Sequence, residues 1–528
     1  MAFLFSFIRA VKLQKLVRTF FTINSHLWQA KGTATNYHSF STLPFATPSS
    51  TMVHHDHRRF LLVIYPAQSH INPALQLAKR LISMGVHVTL LITLHMYRRM
   101  PNKPSIPGLS LLTYSDGYDA GFSVFTGGDE DYRLYASELK RRGSEFIDDL
   151  ITFRAKEGEP FTCLIYSLLV PWAHEVARDL QLPTALLWIQ AATVMSIVHR
   201  YFHGYETLIS DKIKSKDEAL TIPGLNLSLS ACDVPTFLLV SPTNPVSFIF
   251  PVFEEQFQVL DKETNPIVLV NTFEALEPEA LRAVDGINMI PIGPLIPSAF
   301  LDGTDPADTS FGGDILNATD DDYVEWLDSK AESSVVYVSF GSYHELTKKQ
   351  TLEIARALLG CNRPFLWVIR EKMIKVEGKK EEEELSCMEE ILKRKGKIVK
   401  WCSQVKVLSH ASVGCFVTHC GWNSTMESLV SGVPVVAFPQ WSDQNTNAKL
   451  MEDAWKIGVR VNPKAINEEG IVEAEELRRC LDIVMGSGEK AKEVRKNAQK
   501  WKMLSREEGH RSSDKNLRAF VNGVGKYK

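Results

Sequence analysis

The segment from residue 401 to residue 444 constrains the fold of this chain more than any other part of the sequence. It reads WCSQVKVLSHASVGCFVTHCGWNSTMESLVSGVPVVAFPQWSDQ. The apolar runs GCFVTH and PVVAFP alternate with HCGWNS and WSDQN, which are typical of turns and helix starts. This alternation predicts successive strand-to-helix turns of a parallel sheet, and open sheets of that kind bind their ligands at these turns.

Two of these turns carry polar side chains that suit a nucleotide-sugar. In the turn at residues 419–425, Gly421 lets the backbone approach a ligand, and an Asn or Ser can cap the helix that follows. The N–H groups and the partial positive charge of a helix start predict a phosphate site. Glu427, one turn into that helix, can accept hydrogen bonds from sugar hydroxyls. At the next turn, Asp443 and Gln444 offer a carboxylate and an amide, which are usual partners of a polyol.

This segment resembles, along its whole length and without a gap, the signature box of plant UDP-sugar-dependent secondary-product glycosyltransferases. The resemblance extends from about residue 58 to the end of the chain. The stretches IYPAQSHINPALQLAKRL and LLVPWAHEVAR are most similar to the subgroup of anthocyanin 5-O-glucosyltransferases and enzymes that form glucosyl esters of crocetin. The resemblance implies an α/β chain of the GT-B class, in which two Rossmann-like domains with parallel sheets face a cleft. It also implies a metal-independent, inverting transfer of glucose.

The resemblance further assigns individual residues to the parts of the sugar donor. In the family, Gln at the last position of the box usually accompanies UDP-glucose and His accompanies UDP-galactose, so Gln444 favours glucose. The implied donor-binding residues are Trp401, Cys402 and Gln404 for the uridine, Glu427 for the ribose, Ser342, His419, Asn423 and Ser424 for the diphosphate, and Trp422, Asp443 and Gln444 for the hexose. Gly421, in the turn described above, completes the predicted donor-binding set.

A strand-to-helix unit near the start of the chain, at residues 59–93, carries the predicted catalytic base. Asn72 and Pro73 suit the N-cap and the first position of a helix, so His70 is expected in the short loop before them. A loop histidine by itself is more often a surface or capping residue. The resemblance implies that His70 takes the proton from the acceptor hydroxyl as that oxygen attacks the sugar.

The sequence departs from the family at the residue that usually orients this histidine. An aspartate is expected at the end of a later strand, and matching residues 163–180 to that region puts Ser167 in its place. A hydroxyl can hold one imidazole tautomer, but it cannot stabilise an imidazolium ion as a carboxylate does. A weaker base suits an acceptor that arrives ionised, so the sequence favours a carboxylic acid acceptor. Phenolic hydroxyls of flavonoids are the alternative, and a non-catalytic UDP-sugar-binding protein is a remote one.

Composition and charge narrow the classes of partner. The 528 residues carry a net charge of -3, which gives no electrostatic reason to bind nucleic acid. The eight cysteines include no CxxC pair, so neither a disulfide framework nor a zinc ribbon is predicted. The protein is expected to be a monomer. Its expected partners are a small apolar acceptor and UDP-glucose, and UDP-glucose is a co-substrate and not a cofactor. Four residues could be considered as metal ligands, namely His410, Cys415, His419 and Cys420. They would be spread over a strand and a turn and so would not surround one ion, and no metal is expected.

Residues 1–51 differ from the rest of the chain. They contain five Lys or Arg residues, many Ser and Thr, and no Asp or Glu. Such a leader is typical of an organelle transit peptide, which would direct the protein to a plastid or a mitochondrion. The alternative is a true start at Met52 and a cytoplasmic protein. The apolar run at the start is too short to span a membrane.

Composition also predicts the domain boundaries. Acidic clusters at residues 129–131 and 320–322 are interpreted as a helix start and part of a polar linker, not as metal sites. The stretch 182–208 is expected to line the acceptor pocket with Trp188, Gln190, Met195, His199, Tyr201 and Phe202. The predicted parts are a leader at 1–51, an acceptor domain at 58–295, a linker at 296–320, a UDP-sugar domain at 321–505, and a terminal helix at 506–528 that returns to the first domain.

Overall fold

The computed structural model describes residues 58–122, 129–215, 219–239, 249–312, 322–342, 346–369, 392 and 395–524, without the side chains of 129, 130, 214 and 508–510. The predicted leader therefore lies outside the described residues, as do two of the three residues of the second acidic cluster. Within the described part of the chain, no helix combines the length and the apolar character needed to cross a bilayer.

The described strands form two parallel sheets and one short antiparallel pair. Their bounds are β1 Arg59–Val63, β2 His87–Thr93, β3 Leu109–Tyr114, β4 Cys163–Ser167, β5 Thr184–Trp188, β6 Leu220–Thr221, β7 Ser228–Leu229, β8 Ile267–Val270, β9 Asn288–Pro291, β10 Val335–Ser339, β11 Phe365–Val368, β12 Lys397–Val399, β13 Val413–Thr418, β14 Val435–Ala437 and β15 Gly458–Arg460. The first sheet has the order β3-β2-β1-β4-β5-β8-β9, and the second has the order β12-β11-β10-β13-β14-β15.

Helices connect these strands and cover both faces of the sheets. The described α-helices are α1 Gln68–Ser83, α2 Leu94–Arg99, α3 Asp129–Lys156, α4 Trp172–Asp179, α5 Ala192–Arg200, α6 Glu206–Ser215, α7 Phe250–Asp261, α8 Ser298–Leu301, α9 Asp322–Asp328, α10 Lys348–Gly360, α11 Gln404–Leu408, α12 Trp422–Ser431, α13 Gln444–Lys449, α14 Ala474–Met485 and α15 Glu489–Gly523. Shorter 3₁₀ segments lie at Ala231–Asp233, Thr236–Leu238, Ala280–Arg282 and Pro463–Ala465, and π-helical turns lie at Tyr201–Tyr205 and Leu450–Ala454.

The central strands explain where ligands can bind. Each is a continuous apolar run with both faces buried, as expected for a parallel strand covered by helices. In the first sheet β1 pairs with β4, with Val63 opposite Tyr166, so the segments that follow these two strands leave the sheet side by side. In the second sheet β13 lies between β10 and β14, and their carboxyl ends also meet at one edge. Most of the predicted site residues follow these strand ends, and Trp401, Cys402 and Gln404 follow β12 at the edge of the second sheet.

Helix α1 begins five residues earlier than the sequence predicted. Its N-cap is Ala67, so His70 lies in the first helical turn and not in a loop, and Asn72 and Pro73 lie inside the helix. A proline at this position has no N–H to donate to the carbonyl of Ser69, four residues before it. The amide of Asn423 on the second domain donates to that carbonyl instead, at 3.0 Å. A distant residue thus supplies the hydrogen bond that proline cannot, which local sequence rules cannot foresee.

The two predicted connections between the domains are packed against them. Two residues of the predicted linker contact Lys79 of α1 in the first domain. Lys79 forms an ion pair with Asp308 at 2.5 Å and donates to the carbonyl of Ser310 at 2.8 Å. The terminal helix is one continuous helix, α15, so the predicted boundary at 505–506 falls inside it. Gln499 donates to the carbonyl of Gly432 in the second domain, at 3.2 Å. Later residues contact the first domain: Asp514 pairs with Arg80, and Ser513 donates to the carbonyl of Gly293 at 2.6 Å.

Candidate active site

A cavity lies between the carboxyl edges of the two sheets, and both domains line it. Ser167 is fully buried directly behind His70 and is the one predicted site residue that does not reach the cavity. Thirteen of the fourteen predicted residues line the cavity: His70, Ser342, Trp401, Cys402, Gln404, His419, Gly421, Trp422, Asn423, Ser424, Glu427, Asp443 and Gln444.

The hydrogen bonds of Ser167 define the protonation of His70. Its hydroxyl oxygen accepts the backbone N–H of Tyr65 at 2.9 Å, lies 3.0 Å from His70 Nδ1 and lies 3.3 Å from the carbonyl oxygen of Leu168. A hydroxyl has one proton and two lone pairs. All three contacts become hydrogen bonds only if the hydroxyl donates to Leu168 and accepts from Nδ1–H. This network places the imidazole proton on Nδ1 and leaves the lone pair on Nε2, as a general base requires.

His70 stays neutral over the whole physiological range. Burial lowers its pKa from 6.5 to about 3, because the apolar surroundings disfavour the imidazolium ion. No charged partner opposes this shift, since the neighbour at Nδ1 is the neutral hydroxyl of Ser167. His70 is therefore an uncharged acceptor of hydrogen bonds at the pH of a cell.

The expected diphosphate site lies where the loop after β10 meets the start of α12. Gly421 is the N-cap of α12, so the first N–H groups of this ten-residue helix point toward the cavity and favour an anion. The ring of His419 lies between two glycines. A Cβ atom at Gly341 would lie 2.6 Å from His419 Nε2, and one at Gly421 would lie 2.5 Å from the same atom. Any larger residue at either position would displace the histidine.

The expected uridine and ribose site is a hydrogen-bonded cluster. The hydroxyl of Tyr337 donates to Gln404 Oε1 at 3.3 Å and lies 3.5 Å from the thiol of Cys402. This fixes the direction of the Gln404 amide, whose nitrogen donates to Ser424 Oγ at 2.7 Å and to the carboxylate of Glu427. Glu427 is buried and lines the cavity. Its carboxylate is therefore oriented before any ligand arrives.

At the expected hexose site, Asp443 and Gln444 are held by the turn that contains them. The side-chain oxygen of Gln444 accepts the backbone N–H groups of Gln440 and Trp441, at 2.9 and 3.1 Å, which turns the amide nitrogen outward. Asn447 donates to a carboxylate oxygen of Asp443 at 2.8 Å. Burial raises the pKa of Asp443 to about 6, because no cation offsets the loss of water around this carboxylate.

Comparisons with known proteins agree with this site. A family model described as "UDP-glucoronosyl and UDP-glucosyl transferase" matches residues 308–482. The chain is 57% identical over 487 residues to phloretin 4'-O-glucosyltransferase of Malus domestica, covering 90% of this chain and 98% of that protein. The chain belongs to this glycosyltransferase family.

Further relatives confirm the predicted fold and enzyme class of the glycosyltransferase. It is 53% identical over 473 residues to chloroplastic crocetin glucosyltransferase of Gardenia jasminoides, covering 89% of this chain and 98% of that one. The crystal structure of Os79 from O. sativa in complex with UDP matches with a TM-score of 0.74 and 31% identity, over 89% of this chain and all of the other. The glycosyltransferase is a UDP-glucosyltransferase with the GT-B fold, as the resemblance implied.

Two residues of the box reach across the cleft of the glycosyltransferase. The indole N–H of Trp422 donates to the carbonyl of Asn271 in the first domain, at 2.8 Å. The amide of Asn423 is bonded to Ser69, as described above. Trp422 was predicted to face the hexose and Asn423 the diphosphate. Both line the cavity, but their side-chain N–H groups join the domains, so the backbone N–H groups of this helix start are left for the donor.

The acceptor side of the cavity is largely apolar, and most of it was not predicted. Among the six residues named for the stretch 182–208, Gln190 lines the cavity, whereas Trp188 and Met195 are fully buried in the core. Gln190 Oε1 is buried and has no hydrogen-bond partner among the described residues. The predicted linker contributes Phe311, an isolated aromatic in a polar run, which was the signal available in the sequence. The apolar lining is Leu168, Leu169, Ile189, Ile249, Phe253 and Phe311.

A buried ion pair closes the cleft beside the hexose site. Arg460 of β15 pairs with Asp233 of the first domain and donates to the carbonyl of Cys232 at 2.8 Å. Nearby, the backbone of Ser442 exchanges hydrogen bonds with Thr236: its N–H donates to the hydroxyl at 2.7 Å, and its carbonyl accepts an N–H at 2.8 Å. The first domain therefore positions the loop that carries the predicted hexose ligands.

Replacing Gly421 with alanine is expected to weaken UDP binding by about tenfold or more, or about 1.4 kcal/mol. The backbone of Gly421 has a φ of -61, which alanine adopts easily, so the effect comes only from displacing His419. Calorimetric titration with UDP measures it. The control is Gly488→Ala, which is also an N-cap glycine but has no atom within 4 Å of a new Cβ. Equal UDP affinity in the two variants would contradict the prediction.

The raised pKa of Asp443 predicts a pH-dependent donor affinity. Below pH 6 the carboxyl becomes protonated and accepts sugar hydroxyls less well, so the KM for UDP-glucose is expected to rise as the pH falls through about 6. Asp443→Asn should have a high KM for UDP-glucose that does not change with pH in this range. Because ionising the buried group opposes folding, the folded state loses stability as the pH rises from 3.8 to about 6. At pH 8 the free energy of unfolding of Asp443→Asn, measured in urea, should therefore be higher than that of the wild type by roughly 1 to 3 kcal/mol. A wild-type KM that stays constant from pH 5 to 8 would refute this assignment.

Proposed function

We propose that this enzyme transfers glucose from UDP-glucose to a hydroxyl group of a small, flat, apolar acceptor such as a phenol, with inversion at the anomeric carbon. The observation that carries the proposal is the Nε2 lone pair of His70, which Ser167 fixes in place at the acceptor side of the cavity. An acceptor O–H can donate to this lone pair before it reacts. The apolar wall that includes Phe253 and Phe311 provides the surface on which a flat ring can pack.

The proposed reaction is one in-line displacement. The acceptor oxygen attacks the anomeric carbon and passes its proton to His70 Nε2, while the bond from that carbon to the phosphate oxygen breaks. The leaving UDP gathers negative charge next to His419 and the N-terminus of α12, which can stabilise it without a metal ion. The donor residues act as assigned above, with Glu427 on the ribose and Asp443 and Gln444 on the glucose. We also propose that the chain acts as a monomer.

The charges around the cavity favour a neutral acceptor over a carboxylate. No Lys or Arg is found among the described residues that line the cavity, whereas Glu427 and Asp443 are both there. An ionised carboxylate would also meet the lone pair of His70 without a proton to share between them. Both effects work against an anionic acceptor, in contrast to the preference inferred from the sequence.

A glucose ester is the second candidate product, and one observation favours it. Ser167 stands where the family usually has an aspartate, so no carboxylate stabilises the imidazolium that forms when His70 takes a proton. A carboxylate acceptor needs no deprotonation and avoids this weakness. The crocetin glucosyltransferase among the relatives is named for an acceptor of this kind.

A matched pair of acceptors tests the two candidates. Turnover of UDP-glucose is measured with a hydroxylated stilbene or flavonoid and with its analogue bearing a carboxylate in place of the phenol, from pH 5 to 9. The proposal expects the phenol to be preferred in kcat/KM at pH 7, with no loss of kcat from His70 protonation down to pH 5, since its pKa is about 3. A preference for the carboxylate would instead support ester formation. Retained UDP binding with no turnover of any acceptor would support the non-catalytic alternative.

We propose a cytoplasmic location if translation starts at Met52, and a plastid if residues 1–51 are a transit peptide, as in the relative named chloroplastic. The basic, acid-poor composition of residues 1–51 supports the second reading. Sequencing the N-terminus of the protein isolated from its own tissue distinguishes them. A mature N-terminus near residue 52 with a plastid location requires the transit peptide, and an initiator Met52 in the cytoplasm excludes it.

A further inference from the structure

Three potential metal ligands meet on the surface of the first domain, away from the reaction centre. His199 lies in α5, His203 lies in the π-helical turn that follows, and Asp261 is the last residue of α7. One ligand atom from each lies within 4.8 Å of the other two, and no second group of this kind occurs among the described residues. Asp261 is 58 residues away from His203 in sequence, so the fold, and not a local motif, brings the three together.

The hydrogen bonds of His203 prepare it as a ligand. Its Nδ1 lies 2.7 Å from the backbone carbonyl oxygen of His199, and a carbonyl can only accept, so the proton is on Nδ1. The other ring nitrogen, Nε2, faces the carboxylate of Asp261, whose oxygens lie 3.0 and 3.1 Å away. This contact is favourable with a proton on Nε2, as an ion pair, or with a metal ion between a neutral ring and the carboxylate. Metal-binding histidines commonly donate their other ring N–H to a backbone carbonyl in this way.

The other two members also suit a cation. The Nδ1 of His199 is buried without a hydrogen-bond partner among the described residues. Its ring stacks on His203 with centroids 3.9 Å apart and planes 9° apart, so one ring must turn before both can bind the same ion in their ring planes. The carboxylate of Asp261 stands at the C-terminus of α7, where the helix dipole is negative. A bound cation would relieve that unfavourable placement. The side chains of His203 and Asp261 are 32% and 47% exposed, so an ion can enter from solvent.

We propose that His199, His203 and Asp261 bind one divalent ion of the zinc class. A set of two imidazoles and one carboxylate binds Zn²⁺ and similar divalent transition metals in preference to Mg²⁺ or Ca²⁺. Ligand atoms around a tetrahedral ion lie about 3.4 Å apart at normal bond lengths. The observed 3.0 and 3.1 Å between His203 and Asp261 need to widen by only a few tenths of an ångström, whereas His199, whose ligand atom lies within 4.8 Å of the other two, has to turn toward them. Water completes the coordination.

The proposed ion would act on the acceptor wall and not on the chemistry. It would tie the turn at His203 and Gly204, whose backbone leaves helical geometry, to the end of α7. Helix α7 carries Phe253, and Ile249 immediately precedes it; both line the cavity on the acceptor side. Fixing α7 should therefore change the KM for the acceptor and leave the KM for UDP-glucose unchanged. A role in the glucosyl transfer itself would change kcat with every acceptor.

A second histidine–aspartate pair provides a matched control. His410 Nε2 lies 3.0 Å from a carboxylate oxygen of Asp328 on the surface of the other domain, but within the described part of the chain no third His, Cys, Asp or Glu joins them. If an ordinary ion pair between histidine and aspartate were enough to attract zinc, this pair would do so equally. The proposal expects that it does not.

Zinc titration of the full-length, untagged protein tests the proposal. Calorimetry with ZnCl₂ should show one site per chain, and Co²⁺ should give the visible absorption of a tetrahedral nitrogen and oxygen site. His203→Ala and Asp261→Asn should each weaken zinc binding more than tenfold, whereas His410→Ala should leave it unchanged. UDP binding, unchanged in all three variants, reports that they are folded. Absence of a zinc site in the wild type, or equal binding in His203→Ala, would overturn the proposal.

Kinetics then test the predicted effect on the acceptor. The KM values for acceptor and for UDP-glucose are compared with Zn²⁺ present and after chelation. A shift in the acceptor KM in the wild type, absent in Asp261→Asn, supports a metal that acts through α7. An unchanged acceptor KM with full zinc occupancy would refute that effect.

Discussion

Replacing His70 with alanine is expected to lower kcat by about 10²- to 10⁴-fold while the affinity for UDP stays the same. The residue lines the acceptor side of the cavity, and none of its described contacts is with a predicted donor-binding residue, so only the proton transfer should suffer. Single-turnover rates with a phenolic acceptor and calorimetric titration with UDP measure the two quantities separately. A variant that keeps a tenth of the wild-type rate would show that His70 is not the base.

Variants of Ser167 separate the base from the residue that positions it. Ser167→Ala removes the acceptor for Nδ1–H, so we expect a loss of kcat smaller than that of His70→Ala and no change in UDP affinity. Ser167→Asp supplies the carboxylate that the resemblance led us to expect, and it should raise the pKa of His70 from about 3. The rate of this variant should fall at acid pH, where the wild type stays flat. A flat profile in Ser167→Asp would show that this position does not control the histidine.

Replacing Asp233 with alanine is expected to lower the free energy of unfolding by about 3–5 kcal/mol. The variant leaves the guanidinium of Arg460, which is 7% exposed, without its carboxylate partner in the closed cleft. Donor affinity should fall as well, because the same segment of the first domain holds Ser442 next to Asp443. Urea unfolding and UDP-glucose KM measure the two effects.

An exposed ion pair is the appropriate control for this loss. Arg141 pairs with Glu138 and Glu145 along the surface of α3, with roughly half of its side chain exposed. Arg141→Ala should leave the stability almost unchanged, because exposed pairs are weak. If Asp233→Ala were no more destabilising than Arg141→Ala, the buried pair would not hold the domains together.

Local sequence patterns predicted the donor side of the cavity because it is built from contiguous residues. The box between residues 401 and 444 follows three parallel strands of one sheet, β12, β13 and β14, so its turns lie at one edge wherever that sheet forms. Helix α10 is a second case: it is preceded by Thr347, a residue type favoured at the N-cap, whose hydroxyl accepts the N–H of Gln350 at 3.2 Å. Both depend on interactions within a few residues.

The features that the sequence could not reveal depend on contacts between distant residues. The bond from Asn423 to Ser69 joins positions 354 residues apart, and it makes an internal proline acceptable where a helix start was predicted. Asp233 and Arg460 have no local pattern that identifies them as partners. The acceptor wall is similar, since Phe311 comes from a segment whose composition indicated a linker. Such contacts follow from tertiary packing and not from propensity.

The packing of α15 restricts the way in which the cleft can open. The chain passes between the domains twice, once between β9 and α9 and once along α15, whose two halves contact different domains. Once the contacts across the cleft, such as the pair of Arg460 and Asp233, are released, two bodies joined by two chain connections keep one easy movement, which is a rotation about the line through those connections; sliding and twisting would strain both. Donor entry should therefore involve a hinge rotation of one domain against the other, and the cleft should open most at the edge farthest from α15.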